Sequence, residues 1–220
     1  NNKNRKGISP NTWKKIEKCL SKFGYKKIKT NRTVKRIIFF ASGSGTNVAN
    51  IIKYFNGNDK VEVALTLSNN PNSGVIKRVK KMKKPFMVFS KHELEDKSLL
   101  QKIISINPDL IILAGFLLKI PANFVSAFPK KIINIHPALL PKFGGRGMYG
   151  DRVHQSVKDS SEEKTGITIH FVNEFFDQGT IIFQASVPID DNDTVEDIAN
   201  KVHKLEYAHY PKIIDQLLFS

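Results

Sequence analysis

Asn134 and His136 stand two apart in the stretch KIINIHPALLPKFGG, where an apolar run ends directly before Pro137. Residues two apart on a strand project from the same face, so this run would present an amide and an imidazole side by side. Such a pair can simply cap a strand, or it can hold an oxygen on which negative charge develops during a reaction. Pro137 would stiffen the exit and remove one backbone donor. A carboxylate beside the imidazole would raise its pKa and fix its orientation. Asp177, in NEFFDQGTIIF just before Gly179, is a candidate for that role or an ordinary turn aspartate.

A second element that could do chemistry is SGSGTN, residues 42–47. Its glycines allow a tight turn that brings backbone N–H groups toward an anion at a helix start. No Gly-Lys-Ser/Thr follows, so it is not a P-loop. Gly43 and Gly45 fit a dinucleotide fingerprint, but Val48 stands where its third glycine belongs. The expectation is one phosphate rather than a pyrophosphate; taken alone, the loop specifies no more than a tight turn. None of the other histidines forms a His-x-x-x-His pair with His136, and Cys19 is the only cysteine, so no metal site is expected. His170 reads as a strand residue, His92 and His154 as surface positions, and His203 and His209 as members of a closing helix.

The elements that must position these groups alternate. RIIFFA (36–41), VEVALTLS (61–68), PFMVF (85–89), DLIILAG (109–115) and KIINI (131–135) read as strands. TNVANIIKYF (46–55), SGVIKRVKKM (73–82) and KSLLQKIISI (97–106) read as helices between them. The strands show little polar alternation, as expected when helices cover both sheet faces. The fold class is therefore α/β, a doubly wound, mainly parallel sheet. TGITIHFV (165–172) and TIIFQASVPI (180–189) are close enough in sequence to form an antiparallel pair at one edge. From Thr194 to Phe219 a closing helix is expected, interrupted near Pro211.

The 220 residues suit one domain with a small appendage, and 40% hydrophobic content supports a core. LIILAGFLL is too short to cross a bilayer, and no signal-peptide pattern opens the chain, so neither a membrane nor an export route is expected. The net charge of +15 resembles that of a nucleic-acid binder, but residues 1–36 carry +12 of it and the remainder only +3. Nucleic acid is thus not the expected partner, and an anionic small substrate is. Residues 1–33 read as a basic N-terminal extension, either helical, with Trp13, Ile16, Leu20 and Phe23 lining one face, or partly disordered.

SGSGTN after the first strand, SNN after the second, DLIILAGF, INIHPALLP, TGITIHFV, FDQGTIIFQ and LEYAHYP follow in that order. Together they resemble the folate-dependent phosphoribosylglycinamide formyltransferase family of purine synthesis, over about residues 35–215. The resemblance implies a cytoplasmic enzyme whose catalytic domain is residues 34–220. It implies 10-formyltetrahydrofolate as cosubstrate and no metal. Asn134, His136 and Asp177 match the family's catalytic trio. Gly45, Thr46 and Asn47 match its phosphate loop, and Glu206 matches a carboxylate on the ribose side of the substrate. Leu117, Leu118, Lys119 and Ile120 match backbone that holds the pterin, and Asn134 also contacts the folate. Asn134 and a protonated His136 would then stabilise the oxyanion, with Asp177 keeping the ring charged. The segment FGGRGMYGDRVH, residues 143–154, departs from many relatives, and so does the basic extension. Relatives acting on methionyl-tRNA or on water share the trio, but they would carry a further RNA-binding or larger N-terminal domain.

Overall fold

The computed structural model describes residues 33–220. The expectations for the basic extension therefore lie outside the described residues, except for Thr33. From Val34 to Ser220 the chain forms one compact unit. Its elements are β1 (Lys35–Phe40), α1 (Thr46–Tyr54), β2 (Val61–Ser68), α2 (Gly74–Lys81), β3 (Phe86–Val88), α3 (Lys91–Glu95) and α4 (Lys97–Ile106). β4 (Leu110–Leu113), α5 (Ala122–Ala127), β5 (Ile132–His136), α6 (Asp151–Asp159), β6 (Lys164–Phe171), β7 (Ile181–Pro188) and α7 (Val195–Phe219) follow.

The seven strands form one sheet in the order β3-β2-β1-β4-β5-β6-β7. Pairing is parallel from β3 through β5 and antiparallel for β5 with β6 and β6 with β7. This is the doubly wound sheet with an antiparallel edge that the strand pattern implied. β1 shows why two helical layers are needed. Its Ile37 and Phe39 enter one core with residues of α1, α2 and α7, while Ile38 and Phe40 enter another with residues of α4 and α5. All four side chains have no solvent exposure. Each such burial contributes roughly 1.5–3 kcal/mol, so a polar residue anywhere in this strand would be costly.

Strand order reverses beside β1: the chain steps outward through β2 and β3, then returns to the far side with β4 and β5. That reversal opens a crevice at the carboxyl ends of β1 and β4, where ligands bind in open α/β sheets. The antiparallel turn of β6 then sets His170 opposite Asn134 and Thr168 opposite His136.

Two sequence expectations need correction here. α7 is continuous through Pro211. Proline cannot donate to the Tyr207 carbonyl one turn earlier, but the Asn50 side-chain amide donates to that oxygen at 3.0 Å. A partner from α1 thus replaces the missing ladder bond and the helix does not break. His154 is not a surface residue: it lies on α6, which the apolar pattern missed, and is 2% exposed. His92, by contrast, is exposed on α3. Among the described residues no helix is long and apolar enough to cross a membrane.

Candidate active site

A cavity of about 620 Å³ occupies the crevice. It is bordered by the loops after β1, β4 and β5, by residues 145–150, and by residues of α6 and α7. Gly45, Thr46, Asn47, Leu117, Asn134, His136, Asp177 and Glu206 all line it. Leu118, Lys119 and Ile120 stand outside the lining, and Ile120 is buried in the second core.

The loop after β1 ends at Gly45, which has φ 74°. A side chain there would be strained by the left-handed backbone, and its Cβ would lie 2.5 Å from Val75 Cα on α2. Glycine therefore lets the loop and α2 approach each other. The Val75 N–H donates to the Gly43 carbonyl at 3.1 Å, and Arg78 Nε donates to the Ser44 carbonyl at 2.9 Å. The Ala49 N–H closes the first turn of α1 on the Gly45 carbonyl. Earlier N–H groups precede the helical ladder and give this end its anion preference. Ser42 ties the neighbouring loops together. Its N–H donates to the Gly115 carbonyl, its Oγ donates to Asn69 Oδ1 at 2.7 Å, and the Leu117 N–H donates to that Oγ at 3.1 Å.

Asn134, His136 and Asp177 converge at the next wall. His136 Nδ1 lies 3.6 Å from Asp177 Oδ2, and its Nε2 donates to the Phe143 carbonyl at 2.8 Å. The Gly145 N–H donates to Asp177 Oδ2 at 3.0 Å. Gly179 allows this turn to close, since a Cβ there would overlap the Phe171 carbonyl. His170, read from sequence only as a strand residue, joins the group. Its Nδ1 donates to the Phe171 carbonyl at 2.9 Å, leaving Nε2 to accept from Asn134 Nδ2 at 3.2 Å. The network thus assigns the amide nitrogen of Asn134 toward His170. Its second acceptor is the more distant Asp177 Oδ1, at 3.5 Å. A usable clue lay in TGITIHFV, where Thr168 and His170 alternate with Ile167, Ile169 and Phe171.

The charge states differ from the expectation of a standing imidazolium. Burial pushes His136 below its ordinary pKa, and His170 adds to this, although Asp177 and the Phe143 carbonyl act in the opposite direction. Burial works against the Asp177 charge, but His170, His136 and the Gly145 N–H together hold that carboxyl below its ordinary value. The pair at neutral pH is therefore a carboxylate beside a neutral ring.

The opposite wall is also polar and buried. Asn47 Nδ2 donates to Glu206 Oε2 at 2.9 Å. Burial raises the Glu206 pKa, with Asn47 and His203 resisting. His154 faces the same cavity, and burial followed by the nearby His203 lowers its pKa to about 4. Asn47 Oδ1 and His154 Nδ1 are sealed from solvent without a hydrogen-bond partner. Among the described residues no three or more His, Cys, Asp or Glu are placed to hold a metal ion.

Residues 35–214 match the formyl transferase family. The chain is 37% identical over 187 residues to the chloroplastic phosphoribosylglycinamide formyltransferase of Arabidopsis thaliana, covering 82% of this chain and 64% of that one. It is 36% identical to the Bacillus subtilis phosphoribosylglycinamide formyltransferase, covering 84% and 95%. The solved glycinamide ribonucleotide transformylase 1 of Geobacillus kaustophilus superposes with a TM-score of 0.76 at 34% identity, covering 84% and 99%. The chain thus spans a little under two thirds of the plant relative and nearly all of the bacterial ones.

Proposed function

The chain belongs to the formyl transferase family, and we propose that it transfers a formyl group from 10-formyltetrahydrofolate to the amine of 5′-phosphoribosylglycinamide in purine synthesis. The observation that carries this reading is one cavity with three differentiated walls. An anion-seeking loop and helix start follow β1, the Asn47–Glu206 pair joins that helix to α7, and Asn134 and His136, with Asp177 beside them, end β5 two strands away. That order suits a phosphate, a ribose and a reacting amine in sequence. Leu117 and the adjoining backbone after β4 border the remaining space and are assigned to the pterin. We assign the catalytic domain to residues 34–220 and the reaction to the cytoplasm. The plant relative's name is chloroplastic, so this compartment rests on the single cysteine, which suits a reducing environment.

The bound folate supplies an electrophilic formyl carbon and a nitrogen leaving group. Asn134 holds one amide hydrogen on His170, and the other, engaged only by the long 3.5 Å bond to Asp177 Oδ1, turns to the oxygen on which charge develops. The Phe143 carbonyl holds the His136 proton on Nε2, so Nδ1 presents a lone pair toward Asp177. A proton released by the attacking amine is received at this Asp177–Nδ1 pair and passed to the departing folate nitrogen. Asp177 favours the charged ring that forms in transit. Burial makes His136 a proton acceptor at neutral pH rather than a permanently charged donor.

Formyl transfer to phosphoribosylglycinamide, to methionyl-tRNA and to water, each measured with 10-formyltetrahydrofolate as donor, tests the assignment. Rapid transfer to the first alone is expected. Preferential formylation of methionyl-tRNA, or release of formate at the same rate without an acceptor, would overturn it.

A further inference from the structure

We propose that His154 is a substrate-binding residue whose Nε2–H holds the carbonyl of the amide linking the ribosyl and aminomethyl parts of the acceptor. This inference rests on the acceptor assigned above. The chemistry at Asn134, His136 and Asp177 does not use His154, yet its ring borders their cavity and is 2% exposed. Val153 and Val157, packed with Ala138, anchor α6 on either side of it.

Among the described residues neither ring nitrogen has a hydrogen-bond partner. Nδ1 is sealed from solvent, whereas Nε2 is not among the sealed atoms, so the side of the ring that keeps an opening is the Nε2 side, toward the cavity. A neutral ring carries one proton. A sealed orphan N–H is rarer than a sealed orphan acceptor, which places that proton on Nε2. The ring consequently offers the cavity a neutral donor with no acceptor yet in place.

Position selects the acceptor. The His154 ring centroid lies 6.3 Å from that of His203, which stands one turn before Glu206 on α7. Val153 and Val157, flanking it on α6, pack against Ala138, two residues beyond His136. His154 therefore lies between the wall assigned to the ribose and the wall assigned to the reacting amine. The substrate group between those two parts is the amide, and a neutral N–H suits its carbonyl. Fixing that carbonyl sets the direction in which the terminal amine points.

The test compares wild type, His154→Phe and His154→Gln for binding of phosphoribosylglycinamide and of ribose 5-phosphate by calorimetry. Steady-state kcat and KM are measured alongside. His154→Phe is expected to weaken the amide-bearing ligand about tenfold while leaving ribose 5-phosphate unchanged. His154→Gln, which retains an N–H, should recover most of the loss, and KM for the acceptor should change more than KM for the folate. Equal weakening of both ligands in a folded variant, or no weakening of either, would overturn the inference. A wild type that binds neither ligand would instead refute the acceptor assignment beneath it.

Discussion

Acidification should destabilise this fold through His154, by an amount that can be worked out. In the unfolded chain a histidine titrates near 6.5, whereas burial holds His154 at about 4. Between those values the unfolded chain binds a proton that the folded chain refuses, so stability falls as pH falls. Complete loss corresponds to roughly 3 kcal/mol, and linkage places about 2 kcal/mol of it between pH 7.5 and pH 5. His136, also depressed by burial, acts in the same direction, while Glu206, raised by burial, acts in the opposite one. Comparison with His154→Phe removes those shared contributions, because phenylalanine keeps a ring of similar size and binds no proton. Urea unfolding at the two pH values should show wild type losing about 2 kcal/mol more than the variant, a midpoint difference of about 1 M for a typical urea slope. Coupling to His203 and Asp151 modulates the figure without changing its sign. Parallel pH dependences agreeing within about 0.5 kcal/mol would refute the reasoning that His154 is buried neutral.

Gly45→Val should weaken phosphoribosylglycinamide binding far more than folate binding, because the loop must shift away from Val75; equal losses in a folded variant would contradict its assignment to the phosphate. Asp177→Asn should depress the His136 pKa further, since the charge opposing burial is removed, and should slow single-turnover transfer on the order of 10²-fold. NMR titration of His136 together with rapid-quench rates checks both, and an unchanged rate would remove Asp177 from the chemistry. Deleting residues 1–33 should leave kcat close to the full-length value, because every matched motif follows them; a large fall without unfolding would assign the extension a part in shaping the site.

Much of this arrangement was legible because buried parallel strands advertise themselves as uninterrupted apolar runs. KIINIH also announced its special end, since an amide and an imidazole on one face stand out at the terminus of an apolar run. His170 was harder to read. Its function depends on the antiparallel register that pairs it with Asn134, and that register is a tertiary property. His154 was missed because α6 begins after a glycine-rich segment and buries only Val153, His154 and Val157, too few apolar positions to mark a period. Pro211 misled for a related reason. Local sequence carries the missing N–H, but not the Asn50 amide that compensates from another helix. The charge of His136 was equally inaccessible: proximity to Asp177 could be guessed, but the depth of burial that outweighs it could not.

The central claim is tested most directly by a single-turnover reaction with a formyl-labelled 10-formyltetrahydrofolate, excess enzyme and phosphoribosylglycinamide. The label should be recovered on the glycinamide amine, one for one with tetrahydrofolate, and His136→Ala should slow its appearance at least 10²-fold while both substrates still bind. Label recovered as formate, or transfer at an undiminished rate in the His136 variant, would contradict the account.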